Sequence, residues 1–130
     1  MTKKIRYKTF RKKSGSLIPI EINKKFLIKI KRIFFIYGKK KYIRADHAHK
    51  KCSQFFFPIM GKMKIEYINK KEKGKKILNS RKKEGFLLEP KNWCRVEFQS
   101  NNSILMVICD RKYEYRDYIE NYKDFLKYIK

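Results

Sequence analysis

Short apolar stretches follow one another along most of this chain, and this succession is the strongest constraint on its fold. Most of the stretches end at a Gly, Pro or Asn turn signal, and several alternate apolar with polar residues, as half-buried strands do. Strands in immediate succession favour a β-barrel or β-sandwich over βαβ units. The predicted strands cover residues 17–22, 26–37, 63–67, 77–78, 86–88, 93–98 and 104–109, and a histidine-bearing strand from Tyr42 that residues 55–60 continue.

The C-terminal stretch has a different period. Apolar side chains recur there at helical intervals, which predicts one amphipathic helix over residues 115–129. Acidic residues near its start and lysines near its end suit the helix dipole. We expect this helix to pack on the barrel or on a partner subunit, with a membrane-surface helix as the alternative. The residues that carry the pattern are Tyr115, Ile119, Tyr122, Phe125, Leu126 and Ile129.

The chain length and the number and spacing of the cysteines indicate the number of domains and the cellular compartment. A chain of 130 residues predicts a single domain spanning residues 1–130. No apolar run approaches the roughly 18–20 residues that cross a bilayer, so we expect no membrane partner. Cys52, Cys94 and Cys109 are odd in number and widely spaced, which predicts free thiols in a reducing cytoplasm.

The net charge of +24 has two interpretations. It is large enough to suggest a nucleic-acid partner. However, the chain has 28 lysines and 8 arginines, and its many Ile, Asn, Tyr and Phe residues match the bias of an AT-rich coding sequence. The lysines also cluster in pairs and triplets where turns are expected. We therefore favour solvated turns, with an anionic small molecule as the remaining partner, and expect no nucleic-acid partner.

The two histidines of the chain lie one residue apart, at His47 and His49. On a strand they point to the same face, with Cα atoms roughly 6.5–7 Å apart. An unperturbed imidazole has a pKa near 6.5 and exchanges protons at neutral pH. The pair is therefore a candidate for acid–base catalysis on one small ligand.

Arg32 is expected on the more apolar face of its strand, where an unpaired charge is costly. One explanation is a carboxylate partner such as Glu97. The other is a phosphate or carboxylate of a ligand, which arginine binds with two parallel hydrogen bonds. We favour the ligand.

The spacing of His47, His49, Gln54 and Gly61 resembles the first motif of the cupin superfamily. Metal-binding cupins carry a glutamate at the position of Gln54 and a third histidine later in the chain. This chain has two histidines, and two imidazoles with a neutral amide form a poor metal site. The resemblance therefore implies a cupin pocket that uses acid–base chemistry, with no metal and no cofactor.

Further motifs extend the resemblance over nearly the whole chain. They are Gly15-Ser16-Leu17 with Glu21, Ile30-Lys31-Arg32, Arg44-x-x-His47-Ala48-His49-Lys50, Leu88-x-Pro90-x-x-Trp93, Asp110-x-x-Tyr113, Asp117-Tyr118-Ile119 and Tyr122-x-x-Phe125. With these motifs the chain resembles the dTDP-4-keto-6-deoxyglucose 3,4-ketoisomerases, which are metal-free cupin enzymes. One departure is an aromatic pair that is usually tyrosine and is Phe34-Phe35 here. Either no residue of this chain performs the role that this tyrosine has in the site, or Tyr37 or Tyr42 performs it.

The resemblance implies a cupin-type jelly-roll β-barrel with a C-terminal amphipathic helix, assembled as a homodimer with exchanged strands. It implies movement of the ketone of dTDP-4-keto-6-deoxyglucose from C4 to C3 through an enediol, on the way to a 3-amino-3,6-dideoxyhexose for surface glycans. His49 would carry the proton between carbons, and His47 would polarise the sugar oxygens. The implied substrate-binding residues are Arg32 and Arg44 for the diphosphate, Gln54 for the sugar, and Trp93 and Tyr37 in the pocket.

Three other functions are compatible with parts of the sequence. A 3,5-epimerase of the same nucleotide sugar also needs a basic pocket and proton abstraction beside a ketone. A small basic nucleic-acid-binding protein would explain the charge but would give the histidines no role. A metal-dependent cupin oxygenase would need ligands beyond the histidine pair. The configuration of the product at C4, galacto or gluco, depends on the geometry of the pocket.

Overall fold

The computed structural model describes residues 2–22 and 28–130. The chain in these ranges is dominated by β-strands and ends in one short α-helix. The strands are β1 Thr2–Arg6, β2 Phe10–Lys12, β3 Gly15–Leu17, β4 Arg32–Gly38, β5 Ile43–His49, β6 Gln54–Met60, β7 Lys62–Ile68, β8 Lys73–Asn79, β9 Glu84–Leu88, β10 Trp93–Phe98, β11 Ser103–Cys109 and β12 Tyr118–Ile119. The helix is α1 Tyr122–Tyr128, and 3₁₀ turns cover Ser80–Lys82 and Tyr115–Asp117.

Two five-stranded antiparallel sheets form the body of the fold. The first has the order β1-β9-β6-β11-β4, the second has the order β12-β5-β10-β7-β8, and β2 and β3 form a separate hairpin. The main core lies between the sheets, because it combines side chains of β6, β9 and β11 with side chains of β7, β8 and β10. The predicted all-β jelly-roll architecture with a C-terminal helix is confirmed.

The alternation predicted for the strand at residues 93–98 is confirmed in β10. Cys94, Val96 and Phe98 face the main core, and Arg95 and Glu97 are only partly buried. The strand predicted at residues 104–109 is also confirmed, and β11 begins one residue earlier at Ser103. Period-two patterns therefore locate the central strands of both sheets, where burial on the inner face is strongest.

Three strand predictions were wrong in their extent. The strand predicted over residues 17–22 ends at Leu17, and Ile18 and Ile20 pack on the outer face of the first sheet without strand pairing. Pro19 lacks a backbone N–H donor, which disfavours a strand there. The run predicted over residues 26–37 is a strand only from Arg32 onward, and its first two residues lie outside the described ranges. The strand predicted over residues 77–78 is longer, because β8 covers Lys73–Asn79.

The histidine strand and the run at residues 55–60 do not form one continuous strand. β5 ends at His49 in the second sheet, and β6 begins at Gln54 in the first sheet. The chain between them therefore crosses from one sheet to the other. This crossing places His49 and Gln54 at the same end of the two sheets.

The predicted helix over residues 115–129 was wrong in its first half. Its beginning forms a 3₁₀ turn and then β12, which pairs with the end of β5. α1 starts after Asn121, whose side-chain oxygen accepts a hydrogen bond from the backbone N–H of Asp124. Such caps mark the start of a helix. In the described ranges no helix is both long enough and apolar enough to cross a membrane.

Phe125 anchors this C-terminal helix, and we expect its removal to destabilise the fold. The ring is fully buried against Trp93, whereas the adjacent Leu126 is 45% exposed. Phe125→Ala should lower the free energy of unfolding by about 3–5 kcal/mol, because it leaves a cavity. Leu126→Ala, the matched control, should cost less than about 1 kcal/mol. Urea denaturation measures both values, and equal losses would contradict the helix orientation described here.

Candidate active site

A β-bulge in β5 determines which side chains face the space between the sheets. His47 pairs with Cys94 of β10 and Arg44 pairs with Val96, and the register shifts by one residue between these pairs. Cys94 and Val96 point into the core, so Arg44 and His47 face inward as well. In a regular strand, residues three apart point to opposite faces. The extra residue therefore brings an arginine and the histidine pair to one face.

The bulge has an unusual backbone conformation. Ala45 and Asp46 have φ angles of 69° and 61°. This left-handed conformation costs a non-glycine residue roughly 1–2 kcal/mol, and aspartate tolerates it better than most. The Asp46 carboxylate accepts a hydrogen bond from Trp93 Nε1 at 3.1 Å. Trp93 thus supports the bulge from the outer side of the sheet.

An open cleft of about 660 Å³ lies between the sheets at the end where β5 and β6 meet. Its volume is in the range of small-molecule sites. The first sheet contributes an apolar wall with an arginine, and the second contributes a histidine and an arginine. The lining includes Arg32, Phe34, Ile36, Tyr37, Arg44, His47, Gln54, Phe56, Tyr113, Tyr115, Tyr118 and Glu120.

Arg32 lies on the inner face of β4, as its pattern predicted. Its guanidinium carbon is 4.6 Å from the ring centre of Phe34 and 5.2 Å from that of Tyr113. Such stacking holds a guanidinium in place while its N–H donors stay available. Glu97, the alternative partner for this arginine, lies 3.4 Å from Lys64 instead. Glu97 is therefore not the partner of Arg32.

The two histidine rings are adjacent, and one is deeper than the other. Their centroids are 5.1 Å apart, and the Tyr118 ring contacts both, at 4.9 Å from His47 and 4.3 Å from His49. His47 lines the cleft, and His49 lies behind it with an exposed fraction of 7%. The predicted pairing of the imidazoles on one face is confirmed.

Asp117 fixes the orientation of the deeper ring. His49 Nδ1 lies 3.0 Å from Asp117 Oδ2, and a carboxylate there requires Nδ1 to be the donor. The same carboxylate accepts hydrogen bonds from the backbone N–H groups of Lys51, at 2.8 Å, and Cys52, at 3.3 Å. His49 Nε2 is buried and has no hydrogen-bond partner among the described residues. A lone pair is therefore left on Nε2, held in one direction.

Burial lowers the pKa of both histidines, because it disfavours the charged ring. The pKa of His47 falls to about 4, through desolvation first and the neighbouring His49 second. The pKa of His49 is also lowered by burial, although the hydrogen bond that its ring donates to Asp117 opposes the shift. Both rings are therefore neutral at pH 7, so either can accept a proton.

The cleft does not bring all the predicted residues together. Arg32, Arg44, His47 and Gln54 line it, and Tyr37 lies at its rim with an exposed fraction of 77%. Trp93, which was predicted to line the pocket, does not line the cleft. It lies on the opposite face of β10, packed against Tyr122 and Phe125, because C-terminal side chains cover that face.

Sequence reasoning missed the roles of Asp117 and Tyr118. Both belong to the Asp117-Tyr118-Ile119 motif, but the helical period of the C-terminal stretch placed them in a helix. In the structure Tyr118 pairs with His49 and Ile119 with Ala48, which aims Tyr118 into the cleft. The available signal for a strand was that Tyr118 and Ile119, directly after Asp117, are both residue types enriched in β-strands.

Two thiols lie close to this site. Cys52 lies in the crossing from β5 to β6 and Cys109 ends β11, and both are buried. The Gln54 side-chain amide donates to Cys109 Sγ at 3.7 Å. His49, Cys52 and Asp117 each offer a donor atom, and these three atoms lie within 4.8 Å of one another. They are the described residues whose spacing fits a metal ion.

The chain matches a family model described as "FdtA: WxcM-like, C-terminal" over residues 1–130. It is also 30% identical to the TDP-4-oxo-6-deoxy-alpha-D-glucose-3,4-oxoisomerase of Aneurinibacillus thermoaerophilus. That alignment spans 128 residues, which cover 98% of this chain and 91% of the relative.

Solved structures also match most of this chain. A histidine-to-asparagine variant of the 3,4-ketoisomerase QdtA from Thermoanaerobacterium thermosaccharolyticum, in complex with TDP-4-keto-6-deoxyglucose, superimposes with a TM-score of 0.90 and is 27% identical. The match covers 98% of this chain and 93% of that one. The rmlC epimerase of Mycobacterium tuberculosis, 9% identical with a TM-score of 0.80, shares the fold over 90% of this chain and 66% of that one. The chain therefore belongs to the FdtA family of sugar 3,4-ketoisomerases, and the protein is an isomerase.

Proposed function

We propose that this protein converts dTDP-4-keto-6-deoxyglucose into a dTDP-3-keto-6-deoxyhexose by proton transfer within the cleft. The observation that carries the proposal is the state of His49. Its Nδ1 is held by Asp117, its Nε2 has no partner among the described residues, and burial keeps the ring neutral. A neutral imidazole with one fixed lone pair suits a general base at neutral pH.

The proposed reaction begins at C3 of the sugar. His49 Nε2 takes the C3 proton, the C3–H electron pair forms the C3–C4 double bond, and the C4 carbonyl oxygen becomes an enediolate oxygen. His47 moves the proton of the C3 hydroxyl to the oxygen on C4, and His49 returns its proton to C4. The ketone then stands at C3, and no external oxidant or reductant is consumed. Asp117 stabilises the imidazolium that forms in between.

The arginines of the cleft are proposed to hold the diphosphate. Arg32 is held between two aromatic rings, and Arg44 is exposed at the opposite wall, so both keep free donors. We propose that Gln54 hydrogen-bonds the sugar and that Tyr37 closes the rim. Trp93 is assigned no ligand contact, because it supports the bulge.

A 3,5-epimerase is the second candidate, because the shared fold and a histidine–aspartate pair suit proton abstraction beside any ketone. The epimerase structure that matches here is only 9% identical, so its likeness supports the fold alone. The isomerase relatives match at 27–30% identity. This difference favours the isomerase.

We also propose that the enzyme is a cytoplasmic homodimer with exchanged strands, on the route to a 3-amino-3,6-dideoxyhexose. A ketone at C3 is the group that an aminotransferase needs. The three cysteines are free thiols, which suits a reducing compartment. The outer face of β4 and β6 exposes large apolar side chains, which supports an interface between subunits. These are Ile33, Phe35, Ile59 and Met60.

The first prediction that follows from this proposal concerns the tautomer of His49. At pH 7 we expect His49 to be the neutral ring with its proton on Nδ1, because the Asp117 carboxylate accepts from that nitrogen. Nitrogen-15 NMR of labelled protein reads this state directly. In Asp117→Asn the preference should weaken, whereas Asp124→Asn on α1 should leave it unchanged. A proton on Nε2 in the unmodified protein would contradict the proposed base.

The second prediction concerns turnover. Protein incubated with dTDP-4-keto-6-deoxyglucose in D2O should form a 3-keto species. This species should carry deuterium at C4 to the extent that the proton on His49 exchanges with solvent before it reaches C4, and NMR also gives the C4 configuration. His49→Asn should lower the rate by about 10²–10⁴-fold, as loss of a general base does, and should keep dTDP affinity within a few-fold.

His47→Asn separates the two histidine roles. It should slow turnover while C3–H exchange with solvent continues, because His49 still removes that proton. Exchange that persists in His49→Asn and stops in His47→Asn would reverse the assignment. Exchange at C3 and C5 with the ketone still at C4 would show the epimerase instead.

The third prediction concerns the dimer. Analytical ultracentrifugation should give a dimer for the unmodified protein and a monomer for Phe35→Asp, because a carboxylate would be buried in an apolar interface. Ile77→Asp is the matched control, since Ile77 is similarly exposed on β8 in the other sheet. It should remain dimeric. A monomeric unmodified protein would refute this assembly.

A further inference from the structure

The cluster behind the histidine pair contains thiols that the proposed reaction does not use. Cys52 lies in the crossing between β5 and β6 and Cys109 ends β11, and their side chains are in hydrogen-bond contact beneath the cleft. A single buried thiol is commonly only a small apolar side chain. Here the thiols adjoin a carboxylate and an imidazole, which makes a mixed sulfur, nitrogen and oxygen donor set.

This donor set has the composition of a zinc site. His49, Cys52 and Asp117 offer three donor atoms within 4.8 Å of one another, and all three residues are buried. Zn²⁺ prefers thiolate sulfur, imidazole nitrogen and carboxylate oxygen, and sites with three protein ligands keep a fourth position open. Cys109 is in contact with Cys52 but is not one of the three.

The geometry around Asp117 is already suited to holding an ion. Its Oδ1 is fixed by the backbone N–H of Lys51, and its Oδ2 faces His49 Nδ1. An ion that replaced the Nδ1 proton would lie between two groups that are now joined by a hydrogen bond. Small side-chain shifts would bring the donors to ligand distances.

We propose that His49, Cys52 and Asp117 bind Zn²⁺ and that the bound ion switches the isomerase off. The inhibitory part rests on the proposed function. The site is distinct from a cupin-type metal position, which would use both histidines of the pair. It uses the nitrogen of His49 that faces away from its free lone pair.

The chemistry of binding explains the inhibition. Zinc bonds to Cys52 Sγ, whose proton leaves to solvent, and to Asp117 Oδ2, so the ion and its two anionic ligands sum to zero charge. Zinc also takes the lone pair of His49 Nδ1, and the proton from Nδ1 moves to Nε2. The ring stays neutral, but Nε2 is now an N–H group and has no lone pair for the sugar. Neutrality makes burial of the ion tolerable.

Cobalt is the probe for the site, because a thiolate bound to Co²⁺ gives a charge-transfer band in the near ultraviolet. The full-length, reduced protein should bind one Co²⁺ per chain with this band, and equimolar Zn²⁺ should abolish it. Cys52→Ala should lose the band. Cys94→Ala, which removes a buried thiol elsewhere, should retain it. No band in the unmodified protein, or a band that survives Cys52→Ala, would overturn the site.

A second experiment uses the unmodified protein, so it tests the site even if the Cys52→Ala variant fails to fold. Nitrogen-15 NMR of the unmodified protein should show Zn²⁺ moving the His49 proton from Nδ1 to Nε2, with His47 keeping its tautomer. An unchanged His49 at saturating Zn²⁺ would refute the assignment.

Activity then tests the switch. In the D2O assay, saturating Zn²⁺ should reduce turnover at least tenfold, and EDTA should restore it. Full activity with the site occupied would refute the inhibition. A protein that binds cobalt through Cys52 yet never isomerises the sugar would retain the metal site and refute the proposed function, so the two failures are distinguishable.

Discussion

The buried Asp117 carboxylate is the interaction on which the rest of the site depends. It accepts hydrogen bonds from two backbone N–H groups at the crossing between β5 and β6 and from the ring of His49. One side chain from the C-terminal segment therefore holds the turn that joins the two sheets and orients the proposed base. The same segment supplies β12 and Tyr118, so the edge of the second sheet and one wall of the cleft are built together.

Two opposing effects act on the histidine pair. Burial disfavours charge on either ring, whereas Asp117 favours charge on His49. Burial is the larger effect, so both rings are neutral at rest, and the carboxylate instead selects the tautomer. His49 is therefore uncharged before the reaction, and its imidazolium form is stabilised by Asp117 once it accepts a proton. The aromatic rings around Arg32 act similarly, because they fix a charge without neutralising it.

The sequence predicted those features that follow from a simple period. Alternation located β10 and its inward residues, and the His-x-His spacing placed both rings on one face. The helical period of the last residues was misleading, because Asp117 and Tyr118 serve the site and only the part after Asn121 is helical. Trp93 was misplaced for a related reason: the period gives its face of the sheet but does not show that α1 covers that face. The inward position of Arg44 could not be predicted either, since it depends on one unpaired residue.

That unpaired residue makes the site sensitive to the length of β5 as well as to its side chains. Asp46 is the extra residue of β5, because it has no partner in the register with β10. Arg44 and His47 both face inward only because this extra residue is present. Deleting one residue in this stretch would turn either the arginine or the histidines toward the outside, although every functional side chain would still be present in the sequence. In engineering this cleft, insertions and deletions in β5 are therefore a more severe change than most substitutions.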